Sequence, residues 1–210
     1  ANRIGVFGMM VTLQEAKAHK ISIEDVDALT GTIIGRPKSA TFRTADVVGL
    51  DTMAFVANTA YTKCLNDKER NVFKLPDYIQ TMLDNKWLGQ KTNQGFYKKI
   101  DKGVIHSLDL NTLEYSKMIK KRYDAFALAK ERTFLRDRLN AIVRSDDVAG
   151  QFLWNCFSRT LCYAADLLDE IADDVVSIDN AMKWGFGWEL GPFEVLDAID
   201  FKYFVDRLEK

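Results

Sequence analysis

Few residues of this sequence have the type and spacing that chemistry needs. The two histidines, His19 and His106, have no partner at metal-ligand spacing. The cysteines, Cys64, Cys156 and Cys162, are few, odd in number and scattered, so they read as reduced thiols of a cytoplasmic protein. The adjacent acids Asp146-Asp147, Asp169-Glu170 and Asp173-Asp174 fall at helix ends or on polar faces, where capping and solvation account for them better than acid–base pairing does. Lys117, Lys120, Lys121 and Arg122 form the one dense basic run, which reads as a solvated face. That leaves Asn2. A carboxamide can donate to an oxygen that gains charge, or hold a base in orientation, without titrating. Taken alone, Asn2 reads as the cap of the first helix.

The elements that would position such groups are helical. Residues 3–18 space Ile4, Phe7, Met10, Val11 and Leu13 three to four apart. Ser22 is expected to cap a second helix, with Asp25 reaching back and Gly35 ending it. A helix is expected before Gly49, another to about Leu65, and a third from Pro76 to about Lys86. Asp101-Lys102-Gly103 between two extended runs predicts a small β-hairpin. Residues 113–146 are highly charged with sparse apolar positions and read as a solvent-facing helical linker. Apolar helices follow from Val148 to about Ile171 and, capped by Asp174, to near Gly185. The four tryptophans, Trp87, Trp154, Trp184 and Trp188, are expected to anchor cores and the domain interface.

With 210 residues, 47% of them hydrophobic and 28% charged, the chain suits one large domain or two domains of about 100 residues. A net charge of -1 argues against a nucleic-acid partner. No apolar run approaches the roughly 18 residues of a membrane helix, no secretory signal is visible, and no membrane partner is expected. A first helix without a preceding cap gives the expectation of a piece cut from a longer protein.

Two stretches of the sequence match each other. Val26 to Val48 set against Ile178 to Ile199 pairs Asp27 with Asp179, Gly35 with Gly187 and, after one extra residue in the first copy, Phe42 with Phe193 and Asp46 with Asp197. Trp154 falls opposite Asn2.

These motifs resemble the C-terminal domain of 3-hydroxyacyl-CoA dehydrogenases. The family opens this domain on Asn-Arg, here Asn2-Arg3. A glycine loop leads to Gly-Leu-Asp-Thr, here Gly35 to Thr52, and the domain ends on Gly-x-Lys-x-x-x-Gly-Phe-Tyr, here Gly89, Lys91, Gly95, Phe96 and Tyr97. The second copy keeps the family's Gly-Pro-Phe as Gly191-Pro192-Phe193, whereas the first has Ser39-Ala40-Thr41-Phe42 in its place. The tandem resembles multifunctional fatty-acid β-oxidation enzymes.

The resemblance implies an all-α fold of two related helical bundles, similar to the 6-phosphogluconate dehydrogenase C-terminal domain, with the hairpin near 95–109. It divides the chain into a first domain at 1–112, a helical linker at 113–146 and a degenerate second copy at 147–210. It implies (S)-3-hydroxyacyl-CoA oxidation with NAD, the NAD and the catalytic His–Glu pair residing on a Rossmann domain of the same polypeptide that lies outside this sequence. The chain alone is then expected to be inactive and to hold no cofactor or metal. Asn2 is implied as catalytic, facing that His and the substrate carbonyl. Arg36, Pro37 and Phe42 are implied as contacts for the acyl-CoA substrate, Phe42 being also a candidate for the core. A fused or associated enoyl-CoA hydratase is a further implied partner. The alternative function is a helical docking or oligomerisation module.

Overall fold

The computed structural model describes residues 1–210, the side chain of Lys102 excepted. The chain runs through α1 (Asn2–Ala18), α2 (Ile23–Leu29), α3 (Phe42–Val48), α4 (Leu50–Lys63) and α5 (Asp77–Asp84). A small antiparallel sheet follows, β1 (Tyr97–Lys99), β2 (Ile105–Leu108) and β3 (Tyr115–Lys117), in that order. Then come α6 (Asp124–Lys130), α7 (Leu135–Val143), α8 (Val148–Asp166), α9 (Leu168–Ile171), α10 (Val175–Phe186), α11 (Pro192–Ala198) and α12 (Phe201–Leu208). The fold is helical, as expected. Among the described residues no helix is long and apolar enough to cross a membrane.

The centre of the molecule is the antiparallel pair α1 and α8. Glycine inside a helix costs about 0.5–1 kcal/mol against alanine, yet α1 carries Gly5 and Gly8, because other chain segments press on it there. A Cβ at Gly8 would lie 3.3 Å from Thr160 of α8, and one at Gly5 would lie 2.0 Å from the Phe186 ring. The Phe7 ring stacks on Tyr163 with centroids 3.7 Å apart. At one end of the pair Arg3 donates to Asp67 (2.8 Å), to the Tyr163 hydroxyl (2.9 Å) and to Glu170. At the other, Arg159 and Asn155 donate to Glu15 at 2.8 and 3.0 Å.

The same local structure occurs in both halves of the chain. Asp27 accepts backbone N–H bonds from Thr41, Phe42 and Arg43 at the start of α3. Asp179 accepts them from Phe193 and Glu194 at the start of α11. The count differs by one because Pro192, which stands where the first half has Thr41, has no N–H to give. Gly35 and Gly187 both adopt left-handed backbone, φ 71° and 66°, as helix-ending glycines do. Gly49 and Asp200, which correspond in the same register, share positive φ of 99° and 72° before α4 and α12. The two glycine loops meet, with the Glu189 N–H donating to the Gly35 carbonyl at 2.8 Å.

The first half has something the second lacks. Asp46 is buried and accepts from the backbone N–H groups of Phe96 (2.8 Å) and Tyr97 (2.9 Å), while the Tyr97 hydroxyl donates to Asp27 (2.8 Å). Gly89 and Gly95 lie against Asp46 so closely that a Cβ on either would sit 2.3 or 2.1 Å from its atoms. Lys91 closes the arrangement on Asp51 at 2.5 Å. The Gly-x-Lys-x-x-x-Gly-Phe-Tyr motif is therefore a clasp that ties the sheet to α3 and α4. Asp197, which corresponds to Asp46, is exposed.

Four expectations need correcting. The hairpin gains a third strand, β3, whose Ser116 pairs with Ser107. Gly35 ends a short 3-10 turn, Thr32–Ile34, because α2 already stops at Leu29. Ser22 stands at the cap position of α2 but its buried hydroxyl has no partner, and Asp25 instead accepts from the Tyr123 hydroxyl at 3.0 Å. Residues 113–146 do not face solvent throughout. Ala125, Ala129, Leu139, Ile142 and Val143 are fully buried, so α6 and α7 contribute to the core.

Candidate functional site

One face of α1 does not reach the core. Asn2, Gly5, Val6, Met9 and Thr12 along it form one wall of a cavity of about 500 Å³. The loop Arg36–Thr41, Thr44, Ala45 and Val48 of α3, and Thr52, Met53 and Val56 of α4 form a second wall. Gly185, Phe186 and Trp188 from the end of α10 close it. From Asn2 to Thr12 the α1 wall runs about 15 Å at the 1.5 Å rise of a helix. The space exists because small residues line α1 here, so Phe186 lies on Gly5 and leaves the rest of the helix face open.

The expected site residues fall in different places. Asn2 is exposed at one end of the cavity, and its carboxamide caps nothing: Ala1 occupies the cap position of α1. Arg36 and Pro37 both line the cavity, Arg36 toward Thr12 and Cys156 where α1 and α8 meet, and Pro37 exposed against Gly187. The Arg36 guanidinium lies over the Trp188 ring at 4.1 Å and near Phe157 at 5.9 Å. Burial among these apolar groups pulls it down to about 10, with only the distant Cys156 working the other way, so it stays charged at neutral pH. Phe42 does not line the cavity. It is fully buried with its ring centroid 4.5 Å from that of Phe96, held inward because its N–H is committed to Asp27. It belongs to the core.

The second half shows what fills this space when no cavity is kept. In the repeat register Trp154 stands at the position of Asn2, Phe157 at Gly5, Tyr203 at Thr52, Phe204 at Met53 and Arg207 at Val56. These larger side chains pack on one another. Trp154 is buried 5.3 Å from the Phe204 ring and 6.2 Å from Tyr203, with Arg207 over its face at 4.2 Å. Sequence reasoning left Trp188 and Phe186 out of the site. A glycine in α1 opposite a phenylalanine in the other copy was the available signal.

The charged cluster next to Asn2, Arg3 with Asp67, is structural. The Tyr163 hydroxyl donates to Asp67 at 2.5 Å. Burial works against the Asp67 charge, but the hydrogen bonds from Tyr163 and Arg3 outweigh it and hold its carboxyl below the usual range. Arg3 thus ties α1 to α8 and the loop after α4, and fixes where Asn2 is presented.

The arrangement is a largely apolar slot between two walls, with the exposed carboxamide of Asn2 at one end. Residues 1–99 match the family model described as 3-hydroxyacyl-CoA dehydrogenase, C-terminal domain. A Bacillus subtilis (strain 168) protein named probable 3-hydroxyacyl-CoA dehydrogenase is 51% identical over 210 residues, which is 100% of this chain and 26% of that protein. A Deinococcus radiodurans protein of the same name is 40% identical over 99 residues, 47% of this chain and 28% of its own length. A Rickettsia felis protein whose name describes a fatty acid oxidation complex trifunctional enzyme is 26% identical over 200 residues, 93% of this chain and 26% of its own. The chain thus spans about a quarter of the length of the curated relatives it matches.

NAD does not fit the residues described. The sheet is antiparallel and three-stranded, and among the described residues no strand leads through a Gly-x-Gly-x-x-Gly turn into a helix N-terminus.

Proposed function

We propose that this chain is the C-terminal helical region of an NAD-dependent (S)-3-hydroxyacyl-CoA dehydrogenase of fatty-acid β-oxidation. The observation that carries the reading is the cavity beside Asn2, kept open in the first half and filled by Trp154 in the second. The cavity takes the acyl chain, and burial of its methylenes, about 0.8 kcal/mol each, supplies binding energy. Asn2 meets the reacting end of the substrate and donates its amide N–H to the oxygen at C3, which orients that carbon without exchanging a proton. Pro37, exposed against Gly187, contributes to the cavity lining. Residues 1–112 form the working domain, 113–146 join it to the second copy, and 147–210 form a copy that serves as scaffold: Phe186 and Trp188 close the first copy's cavity.

NAD and the proton-accepting base belong to the remainder of the polypeptide, so the 210-residue chain has no turnover by itself. The apolar mouth fits this arrangement. Val48 lines the cavity and is exposed, and Phe55 and Trp184, each next in sequence to a lining residue, are exposed as well, Trp184 at 81%; exposed large apolar side chains of this kind favour a docking surface. A hydratase fused or bound to the same enzyme is consistent with the trifunctional name of the Rickettsia felis relative.

Reconstitution tests the reading. The chain is mixed with the separately expressed remainder of its polypeptide and acetoacetyl-CoA reduction by NADH is followed. The expected result is turnover in the mixture and none from the 210 residues alone. Two folded parts that associate without turnover would instead favour the reading as a docking module, for which the exposed Phe55 and Trp184 are the supporting observation.

A further inference from the structure

The inner end of the cavity has a polar feature that an alkyl chain cannot use. Its wall is apolar from Val6 and Met9 to Met53 and Phe186, but it ends on the guanidinium of Arg36. A guanidinium carries five N–H donors in one plane. In this structure the Arg36 guanidinium carbon lies 4.1 Å from the Trp188 ring centroid, and none of its N–H groups is taken up by a hydrogen bond among the described residues. Among the described residues Arg36 has no carboxylate within ion-pair distance and its side chain donates no hydrogen bond. The other partly buried arginines of the α1–α8 seam, Arg3 and Arg159, are each committed to carboxylates. A half-buried cation left without an acceptor is unfavourable unless water or a ligand serves it. The pair of Arg36 and Trp188 is itself a product of the repeat, since the two residues occupy equivalent positions after Gly35 and Gly187.

We infer that Arg36 is a specificity-determining residue, and that the cavity is built for an acyl chain bearing a hydrogen-bond acceptor, best a carboxylate, at the end remote from its thioester. This deepens the acyl-cavity reading above and rests on it. The chain would lie along α1 with its reacting end at Asn2 and its far end on the Arg36 edge, which fixes its length as well as its chemistry. A plain alkyl chain would leave the guanidinium unserved and bind less well than its burial alone suggests. Hydrogen bonds to a charged group are worth about 1.5–3 kcal/mol, which is roughly 10- to 100-fold in affinity.

Binding of decanoate and of decan-1-ol to the 210-residue chain, by calorimetry with the Trp188 indole N–H followed by NMR, separates the possibilities. The two probes share an apolar chain and differ in the charge of the acceptor, a carboxylate against a neutral hydroxyl. The inference predicts that decanoate binds at least tenfold more tightly than decanol and shifts the Trp188 resonance. Arg36→Met should remove that advantage, weakening decanoate binding far more than decanol binding, and Arg36→Lys should keep part of it. Equal affinity for the two probes, or a preference that survives Arg36→Met, overturns the role of Arg36 and leaves the acyl cavity standing. Failure of both probes to perturb Trp188 removes the acyl reading itself. If Arg36→Met does not fold, the Arg36→Lys comparison decides.

Discussion

At the scale of single residues, the carboxylates of this protein work on backbone. Asp27, Asp46 and Asp179 each tie a helix start or a strand to a distant segment by accepting N–H bonds. For Asp46, burial overrides its hydrogen bonds from Tyr97 and Phe96 and pushes its carboxyl up to about 6, from 3.8. The folded state therefore binds more protons than the unfolded state between about pH 4 and 6, and stability falls as pH rises through that window. Two pK units correspond to about 2.7 kcal/mol at most. We expect the unfolding free energy, measured by urea titration at pH 4 and pH 6.5, to decline across the interval, and Asp46→Asn to flatten the decline. A slope that Asp46→Asn leaves intact would assign it elsewhere. The correspondence of Asp27 with Asp179 was legible in sequence, because a carboxylate fixed to a loop must keep its distance to that loop. What these acids do was not, since nothing local distinguishes a carboxylate that holds backbone from one on a solvated face. Phe42 misled for a related reason: its motif is shared with a substrate loop, but the N–H bond to Asp27 turns the ring into the core.

At the scale of elements, the two halves use one helix arrangement for two ends. In the first, α1, α3 and α4 enclose a cavity; in the second, α8, α11 and α12 close on Trp154. Removing that ring should leave a void that the neighbouring Phe204 and Tyr203 cannot fill completely. Trp154→Ala is expected to destabilise by about 3–5 kcal/mol, read as a fall in the urea midpoint with the helical circular dichroism retained. A loss under 1 kcal/mol would mean that the filled second copy is not well packed. The helices were legible from apolar spacing, and the caps at Asp147 and Asp174 form as chemistry dictates, accepting from Gly150 and Ser177 at 2.7 Å. The third strand was not legible, because Tyr115–Lys117 is too short to show alternation and forms only against β2. The buried side of α6 was hidden because alanines at 125 and 129 make the contact and carry little apolar signature, and that of α7 because Leu139, Ile142 and Val143 stand among many charged residues.

At the scale of the whole molecule, the second half supports the first. Phe186 lies against Gly5, Trp188 carries Arg36, and the carbonyl of Gly35 accepts from Glu189. A cavity wall drawn from both halves explains why the two are fused: neither alone would close the slot. Asn2 and Arg36 then sit at its opposite ends, one offered outward and one turned inward. The general plan followed from the motifs, whereas the plugged second site did not, because it depends on which side chains meet across α8 and α12.

The kinetic constants of Asn2→Ala test this account most directly, measured in the intact polypeptide with acetoacetyl-CoA and NADH. Loss of a donor to an oxygen that gains charge lowers kcat by about 10²- to 10³-fold. We predict a fall of that size with KM changed little and the melting temperature unaltered, since Asn2 is exposed and its side chain makes no hydrogen bond among the described residues. A kcat that stays within twofold of the parent, with the protein folded, would contradict the claim that this end of the cavity meets the reacting atoms.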